Sequence, residues 1–147
     1  MDIKINSAPI IWMIDDDEIQ QYCFEKSLEL QGISKQCIKF FDGENAINFF
    51  RNHPKDLDLL PDVIFLDLNM PIVNGWQFLQ QYALIKTGLK KQAKIYVLSS
   101  SQNADVINKA ASIPEVSGYI SKPLKPEDIS EILGTKSKKP IPLVANG

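Results

Sequence analysis

Two short apolar runs in this chain end on carboxylates. Ile10-Ile11-Trp12-Met13-Ile14 leads into Asp15-Asp16-Asp17, and Val63-Ile64-Phe65-Leu66 leads into Asp67. Runs this short, bounded by polar residues, read as buried strands, which puts acids at the ends of core strands. Acids there need a reason. In an open parallel sheet, ligands bind in the crevice outside the carboxyl ends of the strands. Two carboxylates brought together at ~4 Å, with an effective dielectric of ~20, repel by about 4 kcal/mol, so such an edge calls for a counter-charge. A divalent cation supplies one.

The rest of the sequence repeats the theme of strand followed by helix. Strands are expected near 10–14, 36–40, 62–66, 94–98 and 117–120, alternating with segments of helical periodicity, the pattern of βαβ units around a parallel sheet. Asp17 caps a helix carrying Ile19, Cys23, Phe24, Leu28 and Leu30 until Gly32 stops it. Asp42 caps a second with Ala46, Ile47, Phe49 and Phe50, which breaks near His53-Pro54. Asn74-Gly75 opens a third with Trp76, Phe78, Leu79, Tyr82 and Ile85, ended by Gly88, and Asn103 opens a fourth with Val106, Ile107 and Ala110, ended by Pro114. Pro126-Glu127-Asp128 makes a favourable first turn for a fifth, which Gly134 closes. With 147 residues and 44% hydrophobic content the expectation is one domain over 10–134, a lead-in over 1–9, and a Pro- and Lys-containing disordered tail over 135–147.

Charge and composition exclude several functions. Sixteen basic against eighteen acidic residues, with Arg51 the single arginine, do not make a nucleic-acid-reading surface. No apolar stretch approaches membrane-spanning length, so the chain is expected to be soluble and cytoplasmic. Cys23 and Cys37 lack metal-ligand spacing and read as core packing, and His53, between Asn52 and Pro54, reads as solvated and inert.

Taken singly, Asp15 to Asp17 could only cap a helix and Asp67 only open a loop. Together they converge. Carboxylates and backbone carbonyls without His or Cys suit a hard cation, Mg²⁺ rather than zinc. The fourth strand ends in Ser99-Ser100-Ser101 and the fifth in Ser121-Lys122-Pro123, at the same sheet edge as the acids. There a hydroxyl and an ammonium could bind the oxygens of a phosphoryl group, and one carboxylate could act as nucleophile. Asp17 reads as a cap.

These residues resemble a known family. Asp15-Asp16, Asp67-Leu68-Asn69-Met70-Pro71 followed by Asn74-Gly75, Ser99, and Lys122-Pro123 look like the receiver domain of two-component response regulators, the CheY-like family, over about Ile10 to Leu133. The resemblance implies an α/β fold: a doubly wound, five-stranded parallel sheet of order 2-1-3-4-5 in three α/β/α layers. It implies Asp67 as phosphoacceptor, with Asp16 a direct Mg²⁺ ligand, Asp15 a ligand through water and the Asn69 carbonyl a further ligand. Ser99 and Lys122 would contact the phosphoryl oxygens, Tyr119 would be the switch aromatic, and the Lys122–Pro123 bond is expected to be cis. Serine stands at 99 where the family commonly has threonine, which keeps the hydroxyl and drops a methyl. Three consecutive serines leave the register open by one residue, and Ser99, directly after the apolar run, fits best.

Three functions compete at this stage. In the first, a sensor histidine kinase or histidine phosphotransfer protein donates a phosphoryl group to Asp67, and the modified domain binds a downstream protein differently; such a domain is not an enzyme acting on an external substrate. The second is an aspartate-nucleophile phosphatase, which typically carries a second Asp two positions after the nucleophile as acid/base. Asn69 stands there and exchanges no proton at neutral pH, which counts against turnover. The third, a flavin-binding electron carrier, needs a phosphate loop after the first strand, where this chain has three acids. About a dozen residues follow Gly134, so the output is expected to lie in another protein.

Overall fold

The computed structural model describes residues 9–33, 36–70 and 74–133. Five strands, β1 (Ile11–Ile14), β2 (Cys37–Phe40), β3 (Val63–Asp67), β4 (Lys94–Ser99) and β5 (Val116–Ser121), form one parallel sheet of order 2-1-3-4-5. Helices α1 (Glu18–Leu30), α2 (Gly43–Asn52), α3 (Gly75–Ile85), α4 (Ala104–Ala111) and α5 (Pro126–Leu133) alternate with them, and a 3-10 turn, Lys86–Gly88, extends α3. Every strand lies within one residue of its expected bounds. Gly134 and the tail fall outside the described residues, as do most of the lead-in and Pro71.

Alternation along the strands divides the core into two layers. Trp12, Ile14, Ile64, Leu66, Ile95 and Val97 face one way, against Phe50 of α2, Phe78 and Tyr82 of α3, and Ala110 of α4. Ile11, Met13, Phe65, Leu98 and Ile120 face the other way, against Phe24 and Leu28 of α1 and Ile129 of α5. Trp12 is fully buried in the first layer, with ring centroids 4.6 Å from Phe40 and 4.5 Å from Phe50. Its indole N–H donates to the Leu59 carbonyl at 3.2 Å, so no polar atom of the ring is left bare.

The caps follow the side chains that the sequence offered. Asp17 accepts from the Ile19 and Gln20 N–H groups, Asp42 from Asn45, and Asn103 from Asp105. Asn74 and Gln77 form a reciprocal capping box at the start of α3. Gly32 takes φ 71° just past α1, the left-handed conformation that ends a helix at least cost in glycine.

Three expectations are corrected. On α1 the buried residues are Gln21, Phe24 and Leu28, while Ile19 and Leu30 are 71% and 86% exposed. Cys23 is exposed on the same helix rather than packed in the core, and Cys37 is half-buried. His53 is not simply solvated: it caps the end of α2 and its ring lies 4.4 Å from that of Phe49. α4, by contrast, ends where expected: it runs to Ala111 with Ser112 as its C-cap, short of Pro114, because the residue ahead of a proline disfavours the helical conformation.

Candidate functional site

Sheet register brings the acids together. Ile14 pairs with Leu66, so the next residues, Asp15 just past β1 and Asp67 at the last position of β3, come side by side at the point where strand order reverses. Oxygens of Asp15, Asp16 and Asp67 all lie within 4.8 Å of one another. Asp15 and Asp67 are buried, at 0% and 2% exposure, while Asp16 faces solvent. From the neighbouring strand ends come the other groups. Ser99 closes β4, one residue after the pairing partner of Asp67, and its residue partner Ser121 precedes Lys122. The Lys122 N–H donates to the Ser99 carbonyl at 3.0 Å, and the Lys122–Pro123 bond is cis, as expected.

The Lys122 ammonium lies 3.2 Å from Asp67 Oδ1 and 3.8 Å from Asp15 Oδ2. It is one positive charge among three negative ones. Asp67 Oδ1 also accepts the Asn69 N–H at 3.1 Å, which pins the carboxylate to the loop that follows β3. Asp15 Oδ1 accepts the Asp17 N–H at 2.9 Å, whereas Asp15 Oδ2 is buried with no hydrogen-bond partner among the described residues. Burial chiefly pushes the Asp15 carboxyl up to about 6; the Asp17 N–H opposes this, the Asp67 charge adds to it, Lys122 opposes it and Asp16 adds again.

A divalent cation fits this set. The donors are all oxygens, and a buried carboxylate oxygen without a partner is the kind of group that a hard cation satisfies. Gly75 belongs to the same construction. Its N–H donates to the Leu68 carbonyl at 3.1 Å, and an added Cβ would sit 2.6 Å from Leu68 Cα and 2.7 Å from the Asp67 carbonyl oxygen. Only glycine lets α3 start this close to the residue after Asp67.

Among the serines, Ser99 is buried at 2% and its Oγ accepts the Ser101 N–H at 3.0 Å, which leaves the hydroxyl hydrogen free to donate; Ser100 is exposed. Tyr119 is 7% exposed, and its hydroxyl donates to the Ser101 carbonyl at 2.7 Å, tying β5 to the loop after β4. Asn69 is exposed, and Asp17 serves as a cap. Sequence reasoning missed Gln21, whose buried amide reaches the Asp15 carbonyl at 3.1 Å. The available signal was its 21, 24, 28 spacing, which places a glutamine on the apolar stripe of α1.

The family model of the response regulator receiver domain matches residues 11–134. The probable methanogenesis regulatory protein FilR2 of Methanothrix harundinacea is 30% identical over 121 residues, 82% of this chain and 76% of its own length. The autoinducer 1 sensor kinase/phosphatase LuxN of Vibrio harveyi is 29% identical over 133 residues; the match takes in 88% of this chain but spans 14% of LuxN. A two component response regulator structure from Cytophaga hutchinsonii superposes with a TM-score of 0.75 at 25% identity, covering 84% of this chain and 92% of its own. A response regulator receiver protein from Dyadobacter fermentans gives 0.71 at 27% identity, covering 84% and 93%.

Proposed function

This chain belongs to the response regulator receiver family of two-component signalling, and from that premise we propose that Asp67 accepts a phosphoryl group from a phosphohistidine on a sensor histidine kinase or histidine phosphotransfer protein. The observation that carries the proposal is the Lys122 ammonium 3.2 Å from a buried Asp67 carboxylate flanked by two further acids. The Asp15, Asp16 and Asp67 carboxylates and the Asn69 carbonyl are the groups that would hold Mg²⁺. When bound, Mg²⁺ supplies positive charge that offsets the carboxylates and stabilises charge on the phosphoryl oxygens.

The side chains divide the remaining work. Lys122 and the Asn69 N–H both engage Oδ1 of Asp67, so Oδ2 is the oxygen left to attack phosphorus. As the new O–P bond forms, the P–N bond to the donor imidazole breaks and its electron pair returns to the ring nitrogen. Lys122 then faces the developing charge on the equatorial oxygens, where a preorganised cation is worth most. The Ser99 hydroxyl donates to one of those oxygens. In donating, it draws the β4–α4 loop inward, away from the Tyr119 hydroxyl that holds Ser101, and the Tyr119 ring repositions. A partner protein then senses α4, β5 and α5.

Turnover of external phosphate esters is disfavoured. Asn69, two positions after Asp67, offers a carboxamide where a proton-shuttling acid would be needed. We place the chain in the cytoplasm, where ATP-fed histidine kinases are charged. Incubation with a small phosphodonor and Mg²⁺ is expected to label the wild type and leave Asp67→Asn unlabelled; equal labelling of both refutes the assignment.

A further inference from the structure

Gln21 is 1% exposed on the inner face of α1. A buried carboxamide costs free energy unless it is hydrogen-bonded, so its partners define its role. Nε2 faces three main-chain carbonyls at once: Met13 at 3.0 Å, Asp15 at 3.1 Å and Phe40 at 3.1 Å. This is where the β1–β2 pairing runs out. Ile14 is the last paired residue of β1, opposite Phe40, and the Asp15 N–H donates to the Phe40 carbonyl at 3.0 Å. Oε1 of Gln21 has no hydrogen-bond partner among the described residues, so the carbonyls alone set the orientation of the amide.

Asp15 is therefore held at three points: its N–H by Phe40, its carbonyl by Gln21 and its Oδ1 by the Asp17 N–H. The atom left over is Oδ2, buried and without a hydrogen bond, 3.8 Å from Lys122. Fixing the other three groups fixes the direction of this one.

We propose that Gln21 is a positioning residue of the acidic site: its amide clamps the Asp15 main chain to the β1–β2 edge and so holds Asp15 Oδ2 in the cleft shared with Asp67. The inference rests on the reading of Asp15, Asp16 and Asp67 as the Mg²⁺ site. Groups that orient metal ligands typically change metal affinity by ~10–100-fold when removed. Gln21 works through the Asp15 backbone rather than its carboxylate, so the lower end, about tenfold, is expected.

A merely structural glutamine predicts something different. Satisfying strand-end carbonyls contributes to stability but leaves the affinity of the folded protein for Mg²⁺ unchanged. The test measures the Mg²⁺ dissociation constant by calorimetry, alongside the melting midpoint in EDTA, for the wild type, Gln21→Met and Tyr82→Phe. Tyr82 is the control. Its buried hydroxyl accepts the Ala93 N–H at 3.1 Å, ahead of β4 at the opposite edge of the sheet. Gln21→Met is expected to weaken Mg²⁺ binding about tenfold, and Tyr82→Phe to lower the midpoint without changing affinity. Wild-type affinity in folded Gln21→Met overturns the proposal. Absence of Mg²⁺ binding by the wild type overturns the underlying site reading instead, and this proposal with it. If Gln21→Met does not fold, the wild type decides: the Gln21 side-chain NH₂ signals are expected to shift on Mg²⁺ saturation together with the Asp15 amide, and unmoved Gln21 signals overturn the proposal.

Discussion

Replacing a buried carboxylate by its amide usually destabilises a fold, yet Asp15→Asn is expected to stabilise this one when metal is absent. The reason lies in the surroundings of Asp15. It is fully buried, one oxygen has no hydrogen bond, Asp67 and Asp16 add negative charge, and Lys122 is 3.8 Å away. Its carboxyl is raised from 3.8 to about 6 in the fold. A group whose folded value lies above its unfolded one keeps its proton longer in the native state. The contribution of Asp15 to stability is therefore most favourable below about pH 4, falls between about pH 4 and 6, and is least favourable once the carboxylate is ionised. At about 1.36 kcal/mol per tenfold change, the ionised group costs about 3 kcal/mol near neutral pH. Asparagine carries no charge, so it removes the repulsion from the Asp67 and Asp16 carboxylates, whose oxygens lie within 4.8 Å of those of Asp15. A gain of about 1–3 kcal/mol in EDTA near neutral pH follows, or a rise of ~3–10 °C in melting midpoint for a domain of this size. The gain shrinks toward pH 4, where the wild-type carboxyl is protonated too. Millimolar Mg²⁺ is expected to raise the wild-type midpoint and to act weakly on Asp15→Asn. Thermal melts of both proteins across this pH range, with EDTA or Mg²⁺ at fixed ionic strength, provide the check. If Asp15→Asn in EDTA melts below the wild type at neutral pH, or gains equally at both ends of the range, the reasoning is refuted.

Gly75→Ala forces a methyl to within 2.6 Å of Leu68 Cα, so it should cost about 1–3 kcal/mol in urea melts and displace the residues after Asp67; an unchanged midpoint contradicts the close approach. Burial, with Glu25 adding to it, pushes the Cys37 thiol up to about 12, while Cys23 is exposed, so a thiol reagent at mildly alkaline pH should modify Cys23 first and Cys37 only on unfolding, as read by peptide mass mapping. Tyr119→Phe removes the bond to the Ser101 carbonyl and should cost about 1 kcal/mol. In NMR spectra of the beryllofluoride-bound form, shifts around Tyr119 should require Ser99, and persistence of those shifts in Ser99→Ala counts against the coupling.

β1 and β3 were legible because each is a short apolar run that leads into an aspartate, and a central parallel strand has no solvent face to disguise it. The caps were legible for a similar reason: Asp17, Asp42, Asn74 and Asn103 each precede an apolar-periodic segment. α1 was harder. Hydrophobicity counts Ile19 and Leu30 toward the core and Gln21 against it, yet the helix buries Gln21 because the carbonyls of Met13, Asp15 and Phe40 give its amide partners. A residue's type says what it needs, not what a distant strand end provides. His53 misled in the same way, since the Phe49 ring that it meets is set by the helix end rather than by sequence polarity. The acidic cluster followed from the two strand ends, but the distances to Lys122 depend on β5 lying next to β4, which becomes visible once the strand order is known.

The central claim is that the Asp67 carboxylate is the group that takes the phosphoryl. An acyl phosphate is reduced by borohydride to the corresponding alcohol, which marks its position permanently. Phosphodonor and Mg²⁺, followed by borohydride and peptide sequencing by mass spectrometry, should find the reduced residue at position 67 and unmodified aspartate at 15 and 16. Reduction at Asp15 or Asp16, or an unreduced Asp67 in labelled protein, contradicts the account.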